Sequence, residues 1–334
     1  MKREIKKVLI TGVTGFVGSH LADFILEHHQ DVEIIGMIRS WRSPMDNVEH
    51  IKDRIKFVEA DLEDSASLGR LLWKHQPDAI FHLAAQSYVD YSFKAPVATL
   101  MPNVLGTCNL LEMIKIMKLK DIYDPVIHVC SSSEVYGQVK REEIPIIEDC
   151  PFRPASPYAV SKVAEDMLAY QYFISWGLQT IRTRMFTHTG PRRGDVFVCS
   201  TFAKQIAMIE AGLIEPVIYV GNLNSIRTFM DVRDAVRAYW LLVEKCPAGE
   251  VYNIGGNVTM GVEGMLNTLL LMSTKKGIEI IVDPGRSRPS DVTLQIPSTE
   301  KFCKETKWVA RIPFSKTLKD LLDYWRGIYD GNKI

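Results

Sequence analysis

The stretch KVLITGVTGFVGSH, residues 7–20, passes from a lysine into a short apolar run, stops at Gly12, and carries further glycines at 15 and 18. A brief apolar run ended by glycine reads as a buried strand, and residues 17–29 read as the helix that follows. Each glycine has a reason to be there. Gly12 permits a tight turn, Gly15 lets a pyrophosphate approach the backbone, and Gly18 lets helix and strand pack closely. The helix N-terminus adds free N–H groups and a partial positive charge. The turn therefore predicts a dinucleotide site, with Gly12, Gly15, Phe16, Val17 and Gly18 at the phosphates.

The alternation continues along the chain. KKVLITG, VEIIGMIR, IKFVEADL, AIFHLAA, VIHVCSSS and LQTIRTRMF read as strands, with helices expected over 17–29, 65–75, 97–117 and 157–175. Apolar strands alternating with helices predict an α/β fold, a doubly wound parallel sheet covered on both faces. After residue 186 the pattern loosens into polar loops such as THTGPRRGDVFV and VDPGRSRPSDV. The expected organisation is a dinucleotide-binding domain over 1–185, with 228–256 returning to it, and a smaller discontinuous lobe from 186–227 and 257–330. Its loops should close over the open end of the sheet, where doubly wound folds bind ligands.

Forty basic and forty acidic side chains give a net charge of zero, without a run of like charge. Neither nucleic acid nor a membrane surface is an expected partner. The N-terminal apolar run is too short for a leader or a membrane span, and the expectation is a soluble cytoplasmic protein. Six scattered cysteines lack a CxxC pair, and no His/Cys/Asp cluster has ligand spacing, which argues against a disulfide framework and a metal site.

At the end of the second strand, an acidic residue would hydrogen-bond a ribose 2′-hydroxyl. IIGMIRS instead offers Arg39, with Ser40 and Arg42 behind it, which suits a 2′-phosphate and hence NADP, with NAD the alternative. Asp61 and Leu62 follow the third strand, near an adenine. HLAAQS places Leu83, Ala84 and Ala85 over the middle of the cofactor, with Ser87 beyond them. CSSSEVYG, residues 130–137, ends the fifth strand with Ser132, Ser133 and Glu134 at the sheet's carboxyl edge. In SPYAVSK, residues 156–162, Ser156 suits an N-cap and Pro157 the first helical position. Tyr158 and Lys162 then share one helical face. Alone, YxxxK also fits a solvated helix; beside the glycine turn and the strand-end hydroxyls it reads as an acid–base centre. Tyrosine titrates near pH ~10, and Lys162 with a cationic nicotinamide ring favours the phenolate, a shift of ~3 units being worth ~4 kcal/mol.

Over nearly the whole chain these motifs resemble the extended short-chain dehydrogenase/reductase family, in which the GxxGxxG spacing is a known variant. HLAAQSYVDYSF, GTCNLLE, SSSEVYG, FRPASPYAVSK, GPRRGDVFV and YVGNLNSIRTFMDVRD are similar to its GDP-sugar enzymes, the GDP-mannose 4,6-dehydratases above all. FAKQI, DVRDAVRAYWLL and EVYNIGG are similar to the GDP-4-keto-6-deoxy-mannose reductases. The resemblance implies a GDP-linked sugar substrate, internal hydride transfer through bound NADP, and a homodimer or homotetramer through the helices at 97–117 and 157–175. An NADPH-dependent reductase is the alternative, an epimerase the third reading, and a silent NADP-binding protein the reading outside enzymes. Implied catalytic residues are Ser132, Glu134, Tyr158 and Lys162. Implied substrate residues are Ser87, Ser132, Thr187, Arg193, Val198, Lys204, Arg227 and Arg288, with Arg227 and Arg288 on the diphosphate. Arg192 is a further candidate, and His188 is expected to pack its loop. Two positions depart from the dehydratase pattern: Ser132 stands for threonine and Thr187 for asparagine, which admits a different sugar, such as a GDP-manno-heptose.

Overall fold

The computed structural model describes residues 2–286 and 291–330. Strands β1 (Lys7–Thr11), β2 (Glu33–Ile38), β3 (Lys56–Glu59), β4 (Ala79–His82), β5 (Val126–Ser132) and β6 (Gln179–Met185) join a later strand, Val251–Ile254, in one sheet. The spatial order is β3-β2-β1-β4-β5-β6 followed by Val251–Ile254, and every pairing is parallel. Side chains alternate faces along a strand. Val8, Ile10, Ile34, Ile38 and Phe81 accordingly enter one core with α1 (Phe16–His28) and helix Val232–Lys245. Leu9, Ile35, Met37, Ile80 and Ile127 enter the opposite core with α2 (Ser65–His75) and helices Gly106–Lys118 and Pro157–Trp176. Burial on both faces is why these strands read as nearly continuous apolar runs.

Helix Pro157–Trp176 carries the YxxxK face, and its start is set locally. Ser156 Oγ accepts the Ala159 N–H at 3.0 Å, Pro157 occupies the first turn, and Gly177 closes the far end at φ 65°. Its register on the sheet is set by Asp166, fully buried, which accepts from Arg182 Nη1 at 3.0 Å and Arg184 Nε at 2.8 Å on β6. The preceding helical stretch, Pro96–Lys118, runs through a π turn at Met101–Leu105. By length and composition alone it could cross a membrane, but Leu110, Leu111 and Ile114 bury its inner face in the second core.

The remaining strands build a second, smaller unit. Ile226–Asp231 pairs with Val258–Gly261 antiparallel and with His188–Thr189 and Leu294–Gln295 in parallel, beside a separate pair, Val217–Val220 with Glu279–Val282. Helices Val198–Glu210, Val262–Met272 and Phe314–Tyr329 enclose its core of Phe202, Ile206, Met265 and Leu321. Two boundaries differ from the sequence reading. Residues 228–231 belong to the small sheet, so the return to the first domain begins at Val232. Phe302 and Trp308 rejoin the first core, Phe302 meeting Tyr252 with ring centroids 5.6 Å apart, because their large apolar faces find cover there.

Candidate active site

The carboxyl ends of the parallel strands and the loops of the small unit enclose a cleft of about 1740 Å³. The glycine turn forms its floor. Gly12 has φ +71°, and a Cβ on Gly18 would lie 2.3 Å from the Gly12 carbonyl oxygen. Gly15 caps α1 without a side-chain hydrogen bond, so the first N–H groups of that helix stay open to an anion. Thr11 Oγ1 accepts the N–H groups of Leu83 and Ala84, each at 3.0 Å, which fixes the end of β4 beside the turn. Phe16, Val17, Arg39, Asp61, Leu62, Leu83, Ala84, Ala85 and Ser87 all line the cleft, whereas Ser40 and Arg42 do not. A Cβ-free cradle at an uncapped helix start, with a cationic rim, fits a dinucleotide.

Ser132, Glu134, Tyr158 and Lys162 line the same cleft, brought together by the end of β5 and the first turns of helix Pro157–Trp176. Ser132 Oγ accepts the Glu134 N–H at 3.2 Å. Lys162 Nζ donates to the Cys130 carbonyl at 2.9 Å and to Glu165 Oε2 at 2.9 Å, and lies 5.9 Å from the centre of the Tyr158 ring. Burial pushes the Tyr158 phenol up; Lys162 and a hydrogen bond with Ser132 pull it down without cancelling that effect. The expected net lowering is therefore absent from the protein alone, since the charge of Lys162 is spent against desolvation. Burial also works against the Lys162 charge, but Glu165, then Tyr158, hold its pKa above the usual lysine value.

Arg193 lies in the cleft between two rings, its guanidinium carbon 3.5 Å from the centroid of Phe197 and 4.9 Å from that of Phe16. It makes no ion pair among the described residues, and burial brings its pKa down to about 10. Its neighbour Arg192 turns the other way. It donates to Asp23 Oδ2 at 2.5 Å, to the Asn47 carbonyl at 3.0 Å and to His20 Nδ1 at 2.9 Å, clamping the loop to α1. Thr187, Val198 and Arg227 line the cleft. Arg227 donates to the Val292 carbonyl and lies 3.9 Å from Asp291 Oδ1. Lys204, expected at the substrate, is not among the lining residues: Asp195 Oδ2 holds its Nζ at 2.6 Å, and the Trp325 ring lies 5.5 Å away. Arg288 lies outside the described residues.

Several cleft residues escaped the sequence reading. His188, expected only to pack, lines the cleft, stacks on Phe16 at 5.8 Å and is lowered to about 4, burial being the main cause. Gln295 accepts from Ser133 Oγ at 3.0 Å across 162 residues of sequence, a contact without local signal. Glu165, buried behind Lys162 and not itself lining the cleft, had one: it follows Lys162 at i+3 on the same helix.

Known proteins share this sequence pattern and fold. Residues 9–321 match the family model described as GDP-mannose 4,6 dehydratase. A GDP-6-deoxy-D-mannose reductase of Pseudomonas aeruginosa is 32% identical over 320 residues, covering 96% of this chain and 97% of that protein. A GDP-mannose 4,6-dehydratase of Yersinia enterocolitica is 32% identical over 352 residues, covering 95% of this chain and 93% of that one. The structure of RMD from P. aeruginosa complexed with NADPH has a TM-score of 0.82 at 31% identity, covering 97% of this chain and 99% of that one.

Proposed function

Because the chain belongs to the GDP-mannose 4,6-dehydratase family, we propose that it is a nucleotide-sugar 4,6-dehydratase, acting on GDP-mannose or a GDP-manno-heptose with NADP bound. The observation that carries the reading is the Glu134 side chain in the same cleft as Ser132, Tyr158 and Lys162. A dehydratase needs two acid–base centres, one at the sugar C4 hydroxyl and one at C5, and this cleft offers both. NADP, when bound, supplies a site that accepts a hydride and gives it back. The glycine turn and α1 would hold its diphosphate, Arg39 its 2′-phosphate, and Lys162 its nicotinamide ribose.

Tyr158 takes the proton of the C4 hydroxyl, and Ser132 donates a hydrogen bond to the C4 oxygen as the ketone forms. The C4 ketone acidifies C5–H. Glu134 removes that proton and returns it to the departing C6 hydroxyl, which leaves as water. With the C4 hydride delivered to C6, Glu134, reprotonated from solvent, gives C5 its proton, Tyr158 releases the one it took, and the 4-keto-6-deoxy sugar results. Arg193 supplies a positive charge for the nucleotide diphosphate. Thr187, one methyl and one hydroxyl where an amide would be larger, leaves room beside the sugar.

The test is mass spectrometry of GDP-mannose and its heptose analogue after incubation without added reductant. Loss of one water without net NADPH change is the expected result, and Glu134→Gln should abolish it while leaving C4 oxidation. Full dehydration by E134Q would remove Glu134 from the mechanism. One observation favours a second reading, an NADPH-dependent 4-keto-6-deoxy-sugar reductase: the dehydratase alignment extends over 352 residues against 320 for the reductase, so the dehydratase carries insertions this chain lacks. Unchanged GDP-mannose, together with NADPH loss on the 4-keto-6-deoxy sugar, would establish it.

We also infer a cytoplasmic homo-oligomer, a dimer or a tetramer. Val97, Met101 and Leu105 on one helical stretch, with Val160, Tyr170 and Ile174 on helix Pro157–Trp176, form an exposed apolar face of the two packed helices. Light scattering should give twice the chain mass or a multiple of it; a monomer would refute the assignment.

A further inference from the structure

Glu165 is 1% exposed and Lys162 5% exposed. Glu165 Oε2 accepts from Lys162 Nζ at 2.9 Å, while Oε1 is buried without a hydrogen-bond partner among the described residues. A buried ammonium loses its proton readily unless an opposite charge lies beside it. The other groups facing Lys162 do not supply one. On the same helix, Asp166 is engaged by Arg182 and Arg184. From β4, His82 sits between Thr11 and Thr107 and is kept neutral by burial. From β5, His128 is likewise neutral, and burial pushes the Cys130 thiol up. Tyr239, from helix Val232–Lys245, meets that sulfur at 3.1 Å and is itself raised by burial. Arg193, across the cleft beside Tyr158, is a second cation.

We propose that Glu165 is a positioning residue that keeps Lys162 an ammonium and holds it against the Cys130 carbonyl beneath Tyr158. It acts through Lys162 alone, and the inference rests on the Tyr158–Lys162 reading of the site. Burial raises Glu165 itself to about 7, so it is above that pH, with the carboxylate ionised, that the pair carries no net charge. The phenol above it is therefore not ionised by the pair itself, and Tyr158 becomes a base only when further positive charge enters the cleft. Without the carboxylate, Lys162 would lose its proton in the working pH range, and the site would lose both the charge and the donor.

The experiment is NMR of the full chain labelled with [ε-¹³C]lysine, with Lys162→Arg identifying the resonance. In the wild type the Lys162 signal should titrate above pH ~10, and in Glu165→Gln its midpoint should fall by ~2 units or more. Equal midpoints in the two proteins, or a wild-type lysine already neutral at pH ~8, would overturn the proposal. Should E165Q fail to fold, Glu165→Asp, whose carboxylate is drawn back by one methylene, gives the second reading: a lowered midpoint supports the role and an unchanged one removes it. Turnover adds a check. With the midpoint near pH ~8, E165Q should lose about tenfold relative to wild type between pH ~7 and ~9, whereas a merely structural contact would lower turnover equally throughout. The NMR readout needs no substrate. A lysine that shifts in a protein that dehydrates no GDP-sugar upholds Glu165 and refutes the dehydratase; dehydration with an unmoved lysine does the reverse.

Discussion

Replacing Gly18 by alanine tests whether the turn that opens the sequence is constrained as its geometry demands. The added carbon would lie 2.3 Å from the Gly12 oxygen, 2.8 Å from Val13 Cα and 2.9 Å from Gly12 C. Ordinary contacts between such atoms begin near ~3.5 Å, so more than ~1 Å must be recovered by moving backbone. No side chain is there to yield. The relief is a shift of α1 away from β1, which should cost about 3 kcal/mol, the upper end for overpacking. The same shift withdraws the uncapped N–H groups from the phosphate seat, so NADPH affinity should fall at least tenfold, about 1.4 kcal/mol. Two other glycines calibrate the argument. Gly15→Ala meets only the Gly12 oxygen, at 3.1 Å, and needs a shift of a few tenths of an ångström. Gly264→Ala, in helix Val262–Met272, meets nothing within 4 Å and should stabilise by about 0.5–1 kcal/mol. Urea unfolding and NADPH fluorescence titration of the three variants give the order directly. A G18A protein within about 0.5 kcal/mol of wild type, or one less damaged than G15A, would refute the reasoning.

Arg193→Met should weaken nucleotide-sugar binding by about 1.5–3 kcal/mol, the worth of charged hydrogen bonds, yet leave stability unchanged or higher, because a half-buried, partly desolvated cation without an ion pair among the described residues is removed; calorimetry together with urea unfolding separates the two. Lys204→Ala, outside the cleft, should leave that affinity within about threefold, and a larger loss would return Lys204 to the site. Asp166→Asn leaves Arg182 and Arg184 facing a neutral amide and should cost about 3–5 kcal/mol in unfolding free energy. Acid sensitivity follows from the four histidines that desolvation lowers furthest, three buried and His188 half-buried: His20 and His188 to about 4, and His82 and His128 to about 3. The unfolded chain takes up these protons through pH ~6.5 and the folded one only below pH ~4, so the stability they contribute is complete above ~6.5 and is lost as pH falls toward ~4. The slope should approach about 5 kcal/mol per pH unit between pH ~6 and ~4, and a flat profile by urea unfolding would contradict it.

What could be read from the sequence divides along a physical line. The glycine turn was legible because its demands are local: a positive φ at Gly12 and the absence of a Cβ at Gly18 follow from chain geometry within a dozen residues. The start of helix Pro157–Trp176 was legible for the same reason, since Ser156 caps and Pro157 begins a helix whatever packs against it. The direction of a loop cation was not. Arg192 and Arg193 are adjacent, yet Asp23 and His20 draw one out to α1 while Phe16 and Phe197 hold the other in the cleft. Lys204 was assigned inward by resemblance, but an aspartate nine residues before it draws it away. The state of Tyr158 shows the same limit. The sequence names the charges near the phenol, but how strongly each acts depends on the water that folding removes, and here that removal outweighs Lys162. A buried lysine costs free energy unless something nearby carries the opposite charge, and helical spacing places Glu165 within reach while only the fold makes it buried. The Tyr158–Lys162 pair was therefore identifiable from residue types, whereas the carboxylate proposed to support it required knowing which face of the helix is dry.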